Sequence, residues 1–248
     1  MLEELDLALK MPREEYQRRM PKLRQRLMEL ETACWKSGIA SIFVFEGWDA
    51  AGKGSCISHL TRQLDPRGFR LHMIDPPSDE EEHLPWLWRF WIRIPAYGQI
   101  AIFDRSWYAH VLECRVEQSS PRKEWKRAYR EILEFERSLA DDGYLIRKFF
   151  LHISKKEQKR RFHALESDKL TRWKVQPEDW ERHRKYGKYR RAIEDMLERT
   201  QSEWAPWVLV EATDRHWTRV KVLETIIDTL QTALRDRAAL RPARAQAV

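Results

Sequence analysis

The spacing of apolar residues changes along the chain. Tyr16, Met20, Leu23, Leu27 and Leu30 step by three or four, a helical stripe with Pro21 as a restart point and Gly38 as its stop. Such a stripe packs either on its own domain or on a partner helix. The run Ile39 to Phe45 is continuously apolar, bounded by Gly38 and Gly47, and reads as a buried strand. Four similar runs follow at Arg70–Ile74, Gln99–Phe103, Leu145–Ile153 and Trp207–Val210, with helical patterns between most of them. Strands alternating with helices at this spacing predict an α/β domain with a parallel sheet covered by helices.

The helical patterns carry their own punctuation. Ser120-Pro121 reads as an N-cap followed by a first-turn proline, and the stripe Trp125, Tyr129, Ile132, Phe135, Leu139 runs to a stop at Gly143. Ser154 with Glu157 has the spacing of a capping box. Pro177 opens a long helical stretch from Trp180 to Thr200, and the Ala/Arg-rich residues 235–248 read as a frayed tail.

Composition bounds the class. The 248 residues, 42% hydrophobic and 34% charged, suffice for one sizeable core and argue against a chain disordered along most of its length. No apolar run approaches a membrane span and no leading signal pattern is seen, so the expected setting is the cytosol, with no membrane partner. Cys34, Cys56 and Cys114 are odd in number and widely spaced, which predicts neither a disulfide framework nor zinc. The net charge of +7 is local: Lys155 to Arg191 holds fourteen basic and six acidic residues. Such a field favours a polyanion.

The sharpest signal is Gly47-Trp48-Asp49-Ala50-Ala51-Gly52-Lys53-Gly54-Ser55, directly after the first strand and before the helical series Ile57, Leu60, Leu64. Strand, glycine loop and helix in this order place backbone N–H groups and a helix N-terminus around phosphate oxygens, with Lys53 reaching across them. Gly54 stands where a Ser or Thr would usually hold magnesium, and the hydroxyl appears one residue later at Ser55. Asp49 is unusual there. A carboxylate in a phosphate cradle repels its ligand unless a metal ion intervenes or it receives a proton or hydrogen bond from the attacking oxygen. The alternative is an aspartate bracing its own turn.

The third strand ends in Asp104-Arg105-Ser106-Trp107-Tyr108. Strand carboxyl ends gather at one edge of a parallel sheet, which would set a metal-binding carboxylate and a phosphate-binding guanidinium beside the loop, unless the two simply pair. The basic segment after the fourth strand would be a lid that closes over phosphates, with Arg160, Arg161, Arg172 and Lys174 lining the closed site, or merely a solvated face. Trp173, Trp180, Tyr186 and Tyr189 interleave with the charge, but no nucleic-acid module accompanies them, so nucleic acid is not the expected partner.

The glycine loop, Asp75-Pro76-Pro77-Ser78-Asp79-Glu80-Glu81, Leu87-Trp88-Arg89-Phe90-Trp91, Asp104-Arg105-Ser106-Trp107-Tyr108, Trp173-Lys174 and Ala205-Pro206-Trp207 together resemble the polyphosphate kinase 2 family. The similarity runs from about Pro21 to near Leu230, and Glu178-Asp179-Trp180 with Val210 to Asp214 looks closest to its polyphosphate:AMP phosphotransferase branch. The resemblance implies a three-layer α/β/α P-loop kinase-like fold with a five-stranded parallel sheet. It implies a single domain over residues 1–248, with an N-terminal helical arm (1–38) and a basic helical lid (154–200). It further implies reversible magnesium-dependent phosphoryl transfer between inorganic polyphosphate and AMP or ADP, and a homo-oligomer, tetramer or dimer.

By position, the resemblance gives Asp49, Lys53, Asp104 and Arg105 catalytic roles, with Asp49 and Asp104 on the metal. Gly47, Ala51, Gly52, Gly54, Ser55, Arg161, Trp173 and Lys174 would contact phosphates or nucleotide. Leu165 departs from the family, where many members carry a lid arginine, so Arg160 or Arg172 would have to compensate. Two other readings stay open: an ATP-dependent nucleoside monophosphate kinase and a non-catalytic polyanion-binding protein.

Overall fold

The five expected strands form one parallel sheet in which the first is central, flanked by the third and the fourth, with the second and the fifth at the edges. In this computed structural model, which describes residues 1–240, they are β1 (Ser41–Gly47), β2 (Phe69–Met73), β3 (Ile100–Asp104), β4 (Leu145–His152) and β5 (Trp207–Glu211). The helices are α1 (Arg13–Ser37), α2 (Lys53–Thr61), α3 (Asp79–Glu82), α4 (Trp88–Trp91), α5 (Trp107–Val116), α6 (Arg122–Asp141), α7 (Lys155–Ser167), α8 (Pro177–Arg184), α9 (Tyr186–Thr200) and α10 (Arg215–Leu240). Helices α1, α2 and α10 cover one face of the sheet and α5, α6 and α9 the other, giving the three layers.

β1 lies at the centre because its residues are apolar on both faces. Ile42, Phe43, Val44 and Phe45 are wholly buried, and removing each such side chain from water is worth about 1.5–3 kcal/mol. Ser41–Phe45 pair with Ile100–Asp104 on one side, and Ser41–Gly47 with Leu145–Leu151 on the other. This register brings the ends of β1, β3 and β4 level, so the segments that leave them share one edge. The chain order reverses direction on either side of β1, the place where open α/β sheets present their crevice.

The stripe Met20, Leu27, Leu30 is buried against the protein's own α10, and Tyr16 stacks on His216 with ring centroids 4.2 Å apart. The helix does not restart at Pro21. Helix α1 runs through it as one element to a left-handed Gly38, whose N–H bonds Trp35 O at 3.1 Å. Continuous packing on α10 outweighs the one intrahelical bond that proline removes.

Three other expectations change. Ser120 does not cap α6: Pro121 takes the N-cap position and the Ser120 hydroxyl faces Cys114 Sγ. Only half of a capping box forms at α7, since Ser154 Oγ accepts from Glu157 N while the Glu157 carboxylate turns to Arg160 and Arg161. The stretch from Trp180 to Thr200 breaks at Lys185 into α8 and α9, and α9 buries Ala192, Ile193, Met196 and Leu197 in the core. Of the expected tail, 235–240 continue α10; 241–248 lie outside the described residues. All three cysteines are buried and free.

Candidate active site

The loop after β1 takes its shape from two glycines. Gly47 has φ +143°, and a Cβ there would stand 2.5 Å from Leu151 O, so the loop can leave the sheet only through glycine. Gly52, at φ +104°, supplies the left-handed turn that starts α2 with its free N–H groups pointing into the loop. Lys53 Nζ donates to Gly47 O at 2.9 Å and Trp48 O at 3.2 Å, which keeps the ammonium over the loop mouth. Trp48 is an anchor. Its indole N–H donates to His152 Nδ1 at 2.9 Å, and its ring stacks on Tyr186 at 3.9 Å. Burial pulls His152 down to about 4, so its ring is neutral and free to accept near pH 7.

The turn after β3 is tied to the same edge. Arg105 sits at φ +62° and its N–H bonds Phe45 O at 3.0 Å. Ser106 Oγ donates to Glu46 Oε1 at 2.7 Å. Burial pushes Glu46 up to about 7, against the opposing influence of Ser106 and the charges of Lys53 and Arg105. Behind the turn, Trp107 Nε1 donates to Glu136 Oε1 at 3.0 Å and Tyr108 OH to the same oxygen at 2.6 Å. Lys148 Nζ completes the cluster, donating at 2.8 Å to each of Glu136 Oε2, Tyr108 OH and Thr200 O. All three ammonium protons are used in a wholly buried ion pair. The aromatic half of Asp104-Arg105-Ser106-Trp107-Tyr108 thus roots the turn in the core, and its charged half faces the loop.

The two expected metal carboxylates differ. Asp49 is 16% exposed and paired twice, with Arg105 Nη2 at 3.0 Å on Oδ1 and Arg182 Nε at 2.7 Å on Oδ2. Burial works to raise it, but the charges of Lys53, Arg182 and Arg105 prevail and hold it below the usual carboxylate range. It does not brace its own turn. In this arrangement each of its oxygens is paired with a guanidinium group. No ion pair or hydrogen bond engages the Asp104 carboxylate among the described residues, and a Cβ at Gly54 would come 3.7 Å from Asp104 Oδ2. Asp104 is thus the carboxylate that would hold a hard cation beside the loop. No group of three His, Cys, Asp or Glu that could hold a metal by itself occurs among the described residues.

Arg161 is bonded into the loop itself. Its five N–H groups go to Ala50 O (3.0 Å), Ala51 O (2.9 Å), Ala212 O (2.7 Å), Thr213 O (2.9 Å) and Glu157 Oε1 (2.7 Å). It is buried and clamps the loop to the exit of β5; no donor is left for phosphate. The Ser55 hydroxyl accepts from Arg219 of α10 at 2.9 Å. Trp173 and Lys174 form an exposed 3-10 turn, the ammonium 5.5 Å from the indole centroid, and neither hydrogen-bonds to the loop. Arg160 is engaged by Glu157, Leu165 is half-buried, and Arg172 is on the same exposed turn as Trp173.

A second arginine of the basic segment also reaches the loop: Arg182, which the sequence reading passed over, meets the Asp49 carboxylate. Gln176 N donates to Asp179 Oδ2 at 2.8 Å and starts α8, so Arg182, three residues on, shares a face with Asp179 and pairs with it as well as with Asp49. Gln158 was also missed; its amide donates to Asp49 O at 3.2 Å and its Oε1 lies 2.8 Å from His183 Nδ1. Asp49, Arg105 and Arg182 line a cavity of about 70 Å³ whose other walls include Glu46, Trp48, Leu112, Glu113, Phe150 and Tyr189.

A parallel sheet with this loop at its central strand, and cations gathered over it, defines a phosphate-loop α/β protein. The profile of polyphosphate kinase 2 (PPK2) matches residues 10–238, and the chain belongs to that family. It is 44% identical over 234 residues to the polyphosphate:AMP phosphotransferase of Pseudomonas syringae pv. tomato, covering 94% of this chain and 47% of that protein. It is 34% identical over 215 residues to ADP-polyphosphate phosphotransferase 3 of Rhizobium meliloti, covering 87% of this chain and 76% of that one. The crystal structure of polyphosphate kinase 2 from Arthrobacter aurescens TC1 superposes with a TM-score of 0.91 at 30% identity, over 100% of this chain and 89% of the other. The chain spans about half the length of the polyphosphate:AMP phosphotransferase it matches.

Proposed function

We propose that the protein transfers a phosphoryl group reversibly between inorganic polyphosphate and a nucleoside mono- or diphosphate, AMP to ADP or ADP to ATP. The observation that carries the chemistry is the meeting, at one sheet edge, of Lys53, Arg105 and Arg182 with Asp49 and Asp104 around the loop. Support for polyphosphate as donor comes from the names of the relatives.

Phosphoryl transfer asks a protein mainly for position and for neutralisation of charge on the moving group. The N–H groups at the start of α2 and the Lys53 ammonium would hold the donor's terminal phosphates. Arg105, presented by a turn rooted in the core, would hold the acceptor's phosphate in line with them. The packed anchors of Trp48 and Arg161 fix the loop before substrate arrives, so little reorganisation is left to the reaction. Asp104 would hold magnesium together with phosphate oxygens, and the ion would neutralise charge shared between donor and acceptor. Exposed Trp173 and Lys174 fit a lid tip that reaches the site on closure.

A cytosolic homo-oligomer is the setting we propose; among the described residues no helix is long and apolar enough to cross a membrane. The deciding experiment offers AMP and ADP separately to purified protein with magnesium and long-chain polyphosphate, with ATP plus AMP as control. Polymer-dependent ADP or ATP supports the reading. Turnover with ATP and AMP alone would replace it with a conventional monophosphate kinase, and polymer binding without turnover would replace it with a binding role.

A further inference from the structure

Arg182 divides its guanidinium between two carboxylates. Nε donates to Asp49 Oδ2 at 2.7 Å and Nη2 pairs with Asp179 Oδ1, while its Nη1 group has no hydrogen-bond partner among the described residues. Arg105 holds the other oxygen of Asp49, and Asp49, Arg105 and Arg182 line the same cavity. Asp49 therefore lies between two guanidinium groups as an internal anion. A terminal phosphate offers the same flat arginine forks more oxygens and more negative charge than a carboxylate does. Asp179 is bonded to the start of its own helix through Gln176 N, so it can keep Arg182 aimed while the other half of the guanidinium changes partner.

We propose that Arg182 is a phosphate-binding residue of this site, and that an incoming phosphate group takes Arg182 and Arg105 from Asp49. The exchange frees the Asp49 carboxylate only when phosphate is present. It also means that Asp49 competes with the substrate for the two arginines, so the site binds anions less tightly than its cations alone would allow. This inference rests on the phosphoryl-transfer reading for the identity of the anion.

The test is calorimetric binding of inorganic tripolyphosphate in EDTA, with melting temperatures recorded for every variant. Arg182→Gln should weaken binding about tenfold or more, the loss expected for a charge-assisted contact. Arg182→Lys should restore part of it. Arg184→Gln, which removes the same charge from an exposed position of α8, should change affinity by no more than about twofold. Asp49→Asn should act in the opposite direction and tighten binding several-fold, and that gain should vanish in Asp49→Asn/Arg182→Gln. A structural role for Arg182 produces no such gain. Equal losses in the Arg182→Gln and Arg184→Gln variants, or an Asp49→Asn variant that does not tighten, would overturn the proposal; if Arg182→Gln fails to fold, the sign of the Asp49→Asn change decides it. Should the wild-type protein bind ATP and not tripolyphosphate, the polymer donor fails separately, and the same ranking measured with ATP still decides Arg182. Binding of neither anion overturns both.

Discussion

Replacing Arg161 separates a clamp from a substrate ligand. In Arg161→Met the four carbonyls of Ala50, Ala51, Ala212 and Thr213 lose their donors, while Glu157 keeps two contacts of 2.7 Å with Arg160. Ala50 and Thr213 are only partly buried and can turn to water; Ala51 and Ala212 are buried at 3% and 1% exposure. Each buried carbonyl left without a donor costs about 1–3 kcal/mol, so the two together predict a loss of about 2–6 kcal/mol. For a chain of this size that is a fall in Tm of roughly 4–24 °C. Arg161→Lys should recover only part of it, because three donors on one nitrogen cannot span both segments. Urea denaturation without ligand measures the loss, and turnover should fall in kcat as the loop loosens. Unchanged stability together with a raised KM for the polymer would refute the clamp and return Arg161 to the lid.

Two buried titrating groups act on stability in opposite senses. Between about 4.5 and 7 native Glu46 keeps a proton that the unfolded chain has lost, so its contribution falls as pH rises, by up to ~3 kcal/mol. Between about 4 and 6.5 the unfolded chain carries a proton that native His152 lacks, so its contribution rises with pH by a similar amount. Glu46→Gln should therefore uncover a Tm that climbs from pH 4.5 to 6.5 more steeply than in wild type; parallel curves would refute the Glu46 assignment. Lys148→Met should cost about 3–5 kcal/mol by stranding Glu136, whose burial then favours its protonated form, and a second change, Glu136→Gln, should recover part of that loss in chemical denaturation. Strict additivity of the two would show that they are not coupled. Asp104→Asn should raise the magnesium concentration for half-maximal turnover on the order of tenfold, and an unchanged requirement would place the metal elsewhere.

Much of the architecture could be read along the chain because it is written in local terms. Continuous apolar runs marked the strands to within two residues at either end, and the glycine loop announced itself through a strand before it and a helix after it. Where local signals met tertiary packing, packing prevailed: α1 ignores Pro21, Ser120 gives up its cap position, and the expected Trp180–Thr200 helix breaks at Lys185. Gly47 and Gly52 were legible because their backbone angles are a local demand that few other residues meet.

The sequence by itself determined the sheet, the phosphate loop and the residue types that gather there, since periodicity and loop chemistry act over a few neighbouring positions. Only the tertiary structure decided which cation meets which carboxylate. Arg161 and Arg182 lie 21 positions apart in the same basic segment and look alike in sequence, yet one is consumed by backbone carbonyls and the other lies against Asp49. The difference arises because a guanidinium's partners are set by where α7 and α8 dock over the sheet edge, and Asp49 is 133 residues away from Arg182 along the chain.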